Sequence, residues 1–196
     1  MDRLTVFVDY QNVHGWSRRK FFPYGADAAA GHIYPIKLGE LLASRRNRPT
    51  ELKQVRVYRG RPNPERQQGA ARANDRQTSD WQRSERIEVV RRNLQYPQDW
   101  PRTKAIEKGI DVAIAVDMIR LAMDGEMDVA ILFSSDKDLL PAIEVLWDLP
   151  QTTIEVACWS GAPRVRLDGT QRPWCHNLSE QDFRSIEDRF DYSAPE

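Results

Sequence analysis

Cysteine and histidine are scarce in this sequence: 196 residues contain two cysteines, Cys158 and Cys175, and three histidines. No CxxC and no spaced histidine pair is present, which excludes a structural zinc site and a disulfide scaffold. A single bridge between the two cysteines stays open. A reducing cytoplasm is the expected setting. No apolar run approaches the length of a membrane span, and the start, MDRLTVFVDY, lacks the basic-then-apolar layout of a signal peptide. Neither GxxxxGK[ST] nor GxGxxG occurs, so nothing reads as a nucleotide-binding phosphate loop. No serine, cysteine and histidine arrangement suggests covalent catalysis. Net charge is also lacking: 29 Lys and Arg balance 29 Asp and Glu.

What is present is a globular composition, 40% hydrophobic and 30% charged, and we expect one domain over residues 1–196. The zero net charge hides an asymmetry. Residues 45–108 hold 17 Lys and Arg against 8 Asp and Glu, whereas residues 109–148 hold 2 against 9. The first stretch suits a polyanion and the second suits cations, although solvated helix faces and ordinary surface pairs would give the same counts. Arginine makes up 23 of the 29 basic residues, and its planar guanidinium suits phosphate.

The most informative stretch is 111–141, DVAIAVDMIRLAMDGEMDVAILFSSDKDLLP. Ile114, Met118, Leu121 and Ala122 recur at helical spacing after Asp111, and Asp124-Gly125 supplies a stop. Residues 128–133 then form a short apolar run of the kind buried on both faces of a parallel sheet. Ser134, Ser135, Asp136, Lys137 and Asp138 end it. Near the N-terminus, 4–8 (LTVFV) reads as the first strand, with Asp9 directly after it and Asn12 in the turn. Asn12 serves equally as a helix cap near Val13.

Elsewhere 14–32 reads as an irregular loop of aromatic and basic residues, 35–46 as a helix and 52–58 as a second strand. Residues 65–88 read as a polar, Arg-rich helix, exposed or mobile, in which substrate contact and plain solvation compete. Residues 89–94 suggest a third strand. A short helix follows at 142–148, with Ile143, Leu146 and Trp147 inward, and then a strand at 153–159. A loop at 160–173, an edge strand at 174–178, a capped helix at 179–190 and a frayed tail at 191–196 complete the chain.

Alternating strands and helices predict a three-layer α/β/α sandwich around a mainly parallel sheet. In such a sheet Asp9, Asp136 and Asp138 leave from one edge, and Asp111 at a helix start can face it. Unit charges ~4 Å apart repel by about 4 kcal/mol at an effective dielectric near 20. A divalent cation would relieve that. An all-oxygen donor set favours Mg²⁺ or Mn²⁺ and suits displacement at phosphorus. Phosphodiester hydrolysis is the natural reaction.

FVDYQN at 7–12, KGIDVAIAVDM at 108–118 and SSDKDLLP at 134–141 resemble, in order, the three motifs of the NYN domain family. These are PIN-like, metal-dependent ribonucleases, and the LabA-like branch is the most similar in style. The resemblance spans roughly 4–160, with the strand and helix at 174–190 packing on that core. It implies a PIN-like fold, a Mg²⁺ or Mn²⁺ site and RNA cleavage. Asp9, Asp111 and Asp136 then match metal ligands and catalytic acids, and Asp138 a further catalytic acid. Asn12, Ser134 and Ser135 match supporting positions. Asp117 lies six residues beyond Asp111, about 120° round the helix, so it is assigned a supporting and not a ligating part. Lys108, Arg59, Arg61, Arg164 and Arg166 are assigned to substrate. A binding module for RNA or a protein, keeping the fold without turnover, is the alternative, and a homodimer stays open.

Overall fold

The computed structural model describes residues 1–27, 29–167 and 172–194. A six-stranded sheet runs β1 (Asp2–Asp9), β2 (Thr50–Arg61), β3 (Ile87–Asn93), β4 (Val129–Phe133), β5 (Thr153–Trp159) and β6 (Trp174–Leu178). Its order is β3-β2-β1-β4-β5-β6, and all pairings are parallel. The helices are α1 (Tyr10–Phe21), α2 (Pro35–Ser44), α3 (Gln68–Trp81), α4 (Ile110–Met123), α5 (Leu140–Trp147) and α6 (Glu180–Ile186).

The layers follow from alternation along buried strands. Leu4, Val6 and Val8 of β1, with Val129, Ile131 and Phe133 of β4, meet Val13 of α1, Leu38 and Leu42 of α2, Trp81 of α3 and Phe183 of α6. Phe7, Ala130 and Leu132 point the other way, onto Ile114 and Met118 of α4 and Ile143 and Leu146 of α5. The expected three-layer α/β architecture is present. Its consequence for function is the switch point. From β1 the chain builds outward through β2 to β3, then crosses back to place β4 on the other side of β1. The crevice outside the carboxyl ends of β1 and β4 is where open sheets of this kind bind ligands.

Local expectations fared unevenly. The strands at 153–159 and 174–178 have the expected bounds, and Ser179 and Asp182 form the expected capping box. The loop expected from His14 is helical as far as Phe21, because Asp9 caps α1 and Val13 and Ser17 seat one face of it in the core. The Arg-rich helix is not a mobile flap. α3 buries Ala71, Asn74, Gln77, Thr78 and Trp81. That face is small and polar, and apolar periodicity does not register it. Trp147 was expected inward but is 36% exposed. In the tail, Tyr192 is buried and its hydroxyl donates to Asp80 and Asp188. The rest of that tail, 195–196, and residues 168–171 of the loop at 160–173 lie outside the described residues.

Candidate metal centre

Asp9 ends β1 and caps α1, accepting the Asn12 amide N–H through Oδ1 at 3.2 Å. Its Oδ2 accepts the Ser134 hydroxyl at 2.7 Å. Ser134 is the first residue past β4, and its Oγ in turn accepts the Asp136 amide at 3.0 Å. Asn12 Oδ1 accepts the Ser135 amide at 3.0 Å. These bonds lash the end of β1 to the end of β4, so the two motif loops form one rigid unit. Asp136 then caps a single 3₁₀ turn, Lys137–Leu139, by accepting the Asp138 amide.

Asp111 arrives from the opposite layer. Gly109 adopts φ +75, a left-handed turn that disfavours a side chain, and delivers the start of α4 to the sheet edge. Asp9, Asp111 and Asp136 thereby bring one carboxylate oxygen each to within 4.8 Å of one another. Oxygens around a single Mg²⁺ stand about 3–4 Å apart, so small side-chain rotations suffice to close the set on one ion.

The electrostatics favour a cation. Burial pushes the Asp9 carboxyl up to about 6, Asp111 and Asp136 push in the same direction, and the bonds from Ser134 and Asn12 oppose them. Asp111 is raised too, by burial and then by Asp136 and Asp138. Three carboxylates with no ion-pair partner among the described residues, two of them harder to ionise than usual, fit a divalent ion with oxygen-only ligands.

A fourth acid joins them that the sequence reading missed. Glu107 lines the same cavity as the trio, together with Asn12 and, from the last turn of α1, Arg19. Its carboxylate accepts the Gly60 amide of β2, and burial pushes it up to about 7, with Asp9 adding to the rise. A Cβ at Gly60 would stand 2.8 Å from Glu107 Cγ, so the bare backbone is what lets the acid in. In sequence Glu107 looks like part of a basic approach, flanked by Lys104 and Lys108. The buried glycine on a neighbouring strand, the one real signal, has no local connection to it.

Other expected site residues are dispersed. Asp138 is exposed and stands outside the trio, although its charge is felt at Asp111. Lys108 is exposed beside Glu107. Asp117 does not support the centre. It accepts Arg56 and the Tyr58 hydroxyl of β2 at 2.8 and 2.9 Å. Arg61 is not an open phosphate contact, because Asp75 takes it in a two-pronged pair. Arg59 is not on the acidic cavity's wall. It is stacked over Tyr10 and Trp81. Arg164 and Arg166 line a separate cavity by Trp174 and Cys175. Their loop touches the site's border where the Ser135 hydroxyl donates to the Pro163 carbonyl at 2.6 Å.

The parallel sheet between two helical layers, with an acidic cleft at its switch point that could hold a metal, is compatible with a nuclease-type fold. The NYN domain family matches residues 3–160, and the chain belongs to that family. A crystal structure of a Vibrio parahaemolyticus protein of unknown function is similar in fold. It is 18% identical, covers 81% of this chain and 82% of its own, and superposes with a TM-score of 0.51. No curated protein matches the chain. Among the described residues no helix is long and apolar enough to cross a membrane.

Proposed function

We propose that this protein is a metal-dependent endoribonuclease that hydrolyses phosphodiester bonds in single-stranded or structured RNA. The observation that carries the reading is the approach of Asp9, Asp111 and Asp136 to within 4.8 Å at the switch point. In this reading the three hold Mg²⁺ or Mn²⁺, which when bound supplies Lewis acidity at the phosphate and acidifies a water. The chain's own residues do the rest. Ser134 and Asn12 hold Asp9 in its ligating pose through the bonds described above, as partners of metal ligands commonly do. Ser135, bonded to Asn12 and Pro163, keeps the β4 loop from drifting.

Two carboxylates are at hand for the proton that leaves the attacking water. Asp138 lies on the solvent side. Glu107, on the inner side and raised by burial in the metal-free protein, is the other. Arg19, which lines the cavity, and the exposed Lys108, next to Glu107 in the chain, are basic groups available to the scissile strand. In-line attack by a water that expels the O3′ oxygen, which takes up a proton, leaves a 5′-phosphate and a 3′-hydroxyl.

The test is cleavage of end-labelled RNA by purified protein in Mg²⁺, Mn²⁺ or EDTA, beside Asp136→Asn. Cleavage that requires the metal and vanishes in the variant is expected. Salt-sensitive RNA binding with no cleavage under any condition would replace this reading with that of an RNA-binding module.

A further inference from the structure

A second cavity, of about 390 Å³, lies one strand over from the acidic centre, at the carboxyl end of β2. α3 forms one wall through Gly69, Ala73 and Gln77, and Arg59 and His32 form another. Tyr192 of the C-terminal segment closes a side.

Arg59 is the unusual group here. Its neighbours on β2, Arg56 and Arg61, are both paired with carboxylates. Arg59 has no such pair among the described residues. Its guanidinium lies 4.9 Å from the Tyr10 ring centre and 5.3 Å from that of Trp81, and donates to Gln77 Oε1 at 2.7 Å. Among the described residues neither Arg59 Nε nor Gln77 Nε2 has a partner in good hydrogen-bond geometry, although the Gln77 amide lies close enough to act on the Tyr10 hydroxyl, and Gln77 is only 2% exposed. The two histidines nearby do not share the charge. His14 and His32 stack at 4.1 Å, and burial pushes them down to about 4 and about 2, so both stay neutral.

Arg59 is half-buried, and Glu107 attracts it without pairing with it; a partly desolvated guanidinium with no carboxylate bonded to it is under-compensated. Both orphaned atoms are donors, so the group that completes them is an acceptor, and the charge makes it an anion. The inner end is blind, because Tyr10, Thr78 and Trp81 behind it are buried. A phosphate in mid-strand would need two exits, whereas a terminal one needs a single exit. At the outer end the first turn of α3 has neither a side-chain cap nor an acidic residue, and the space above Gly69 is open. Its free N–H groups suit a second phosphate of the same strand. Gly69 to Gln77 spans eight residues, about 12 Å along the helix, enough for a terminal nucleotide. Asp27 and Asp191 at the mouth are exposed to solvent and already accept amide N–H groups at 2.7 and 2.9 Å.

We propose that this cavity binds the terminal phosphate of a nucleic-acid strand, with Arg59 and Gln77 as its donors and the first turn of α3 receiving the next phosphate. The strand's identity rests on the functional reading above; the anion site does not. It abuts the acidic centre, since Tyr10 and Arg59 adjoin Asp9 and the Gly60 amide that holds Glu107. An end seated here sets the distance from terminus to cut.

The test is calorimetry of the full chain in EDTA, so that no cation bridges RNA to the acidic centre. The probes are short RNAs carrying a 5′-phosphate, a 3′-phosphate or hydroxyls at both ends, with inorganic phosphate as a fourth. At least one phosphorylated end is expected to bind tenfold or more tighter than the hydroxyl-ended RNA. Arg59→Met and Gln77→Met should each abolish that preference. If circular dichroism shows Arg59→Met unfolded, Gln77→Met decides. Equal affinity for all RNA ends in the wild type, or a preference that survives Gln77→Met, overturns the site. Inorganic phosphate binding as tightly as the phosphorylated RNA overturns the strand assignment. Because metal is absent, failure of the cleavage assay and failure here are separate results.

Discussion

Helix α4 carries two aspartates that meet opposite fates. Asp117 is neutralised from within: Arg56, itself buried, and the Tyr58 hydroxyl both bond it, and Arg56 also holds Glu88 at 2.9 Å. That cluster ties β2, β3 and α4 together and is complete. Asp111, six residues earlier, faces Asp9 and Asp136 across a cleft in which no described arginine or lysine forms an ion pair with the three. One cluster has its cation built into the fold and the other has like charges held together by neighbours. The first arrangement stabilises; the second costs stability until something positive arrives. The difference marks which carboxylates are structural and which await a ligand.

Substitution of single residues tests that contrast most severely. Asp9→Asn or Asp136→Asn should lower metal-dependent cleavage by on the order of 10³-fold, about 4 kcal/mol of transition-state stabilisation, while thermal unfolding shows the fold intact or firmer. Loss of folding in both variants would mean that the trio is structural after all. The opposite behaviour is expected of the neutralised cluster. Arg56→Met should cost about 3 kcal/mol in denaturant unfolding, because it strands Asp117 in a part-buried setting. An unchanged unfolding midpoint would show that the cluster contributes nothing.

A pH scan sharpens the comparison further. Asp9 and Glu107 sit above their unfolded values, at about 6 and about 7. Between the unfolded and folded values the native state binds more protons than the unfolded state, so metal-free stability falls as pH rises from about 4 to about 7. Millimolar Mg²⁺ should reverse the trend above pH 6, and its affinity should rise with pH as protons are displaced. Melting temperatures in EDTA and in Mg²⁺ at pH 5 and pH 8 check this, and a flat metal-free profile would contradict the raised values. The smallest effect is expected from Ser134→Ala. It removes the 2.7 Å bond to Asp9, worth about 1 kcal/mol, and should weaken metal binding about tenfold. Isothermal titration with Mn²⁺ reads it directly.

Much of the architecture was legible in the chain itself. Short apolar runs ending in Asp9 and in Ser134 to Asp136 were readable as buried strands with acids at their tips. A parallel sheet then sends both tips to one edge without further information. Asp111 was legible because a glycine and an apolar helical period announce a helix start. The angular argument also separated Asp117 from Asp111, although Asp117's partners on β2 were invisible. Legibility failed at polar faces. α3 was read as exposed because Asn74, Gln77 and Thr78 do not look like a buried stripe, and the arginines of 59–92 looked like one basic patch.

By itself, then, the sequence determined the layers, the strand order's acidic tips and the residues able to meet there, because backbone periodicity and chain direction are local properties. Only the tertiary structure decided which charges are compensated. Glu107 joined the acids because Gly60, 47 residues away, leaves room for it. Arg61 was taken by Asp75, and Arg59 was drawn between two rings with no carboxylate bonded to it among the described residues. Such outcomes depend on which distant side chains burial brings within bonding distance. A charge's role is set by those neighbours and not by its own place in the chain.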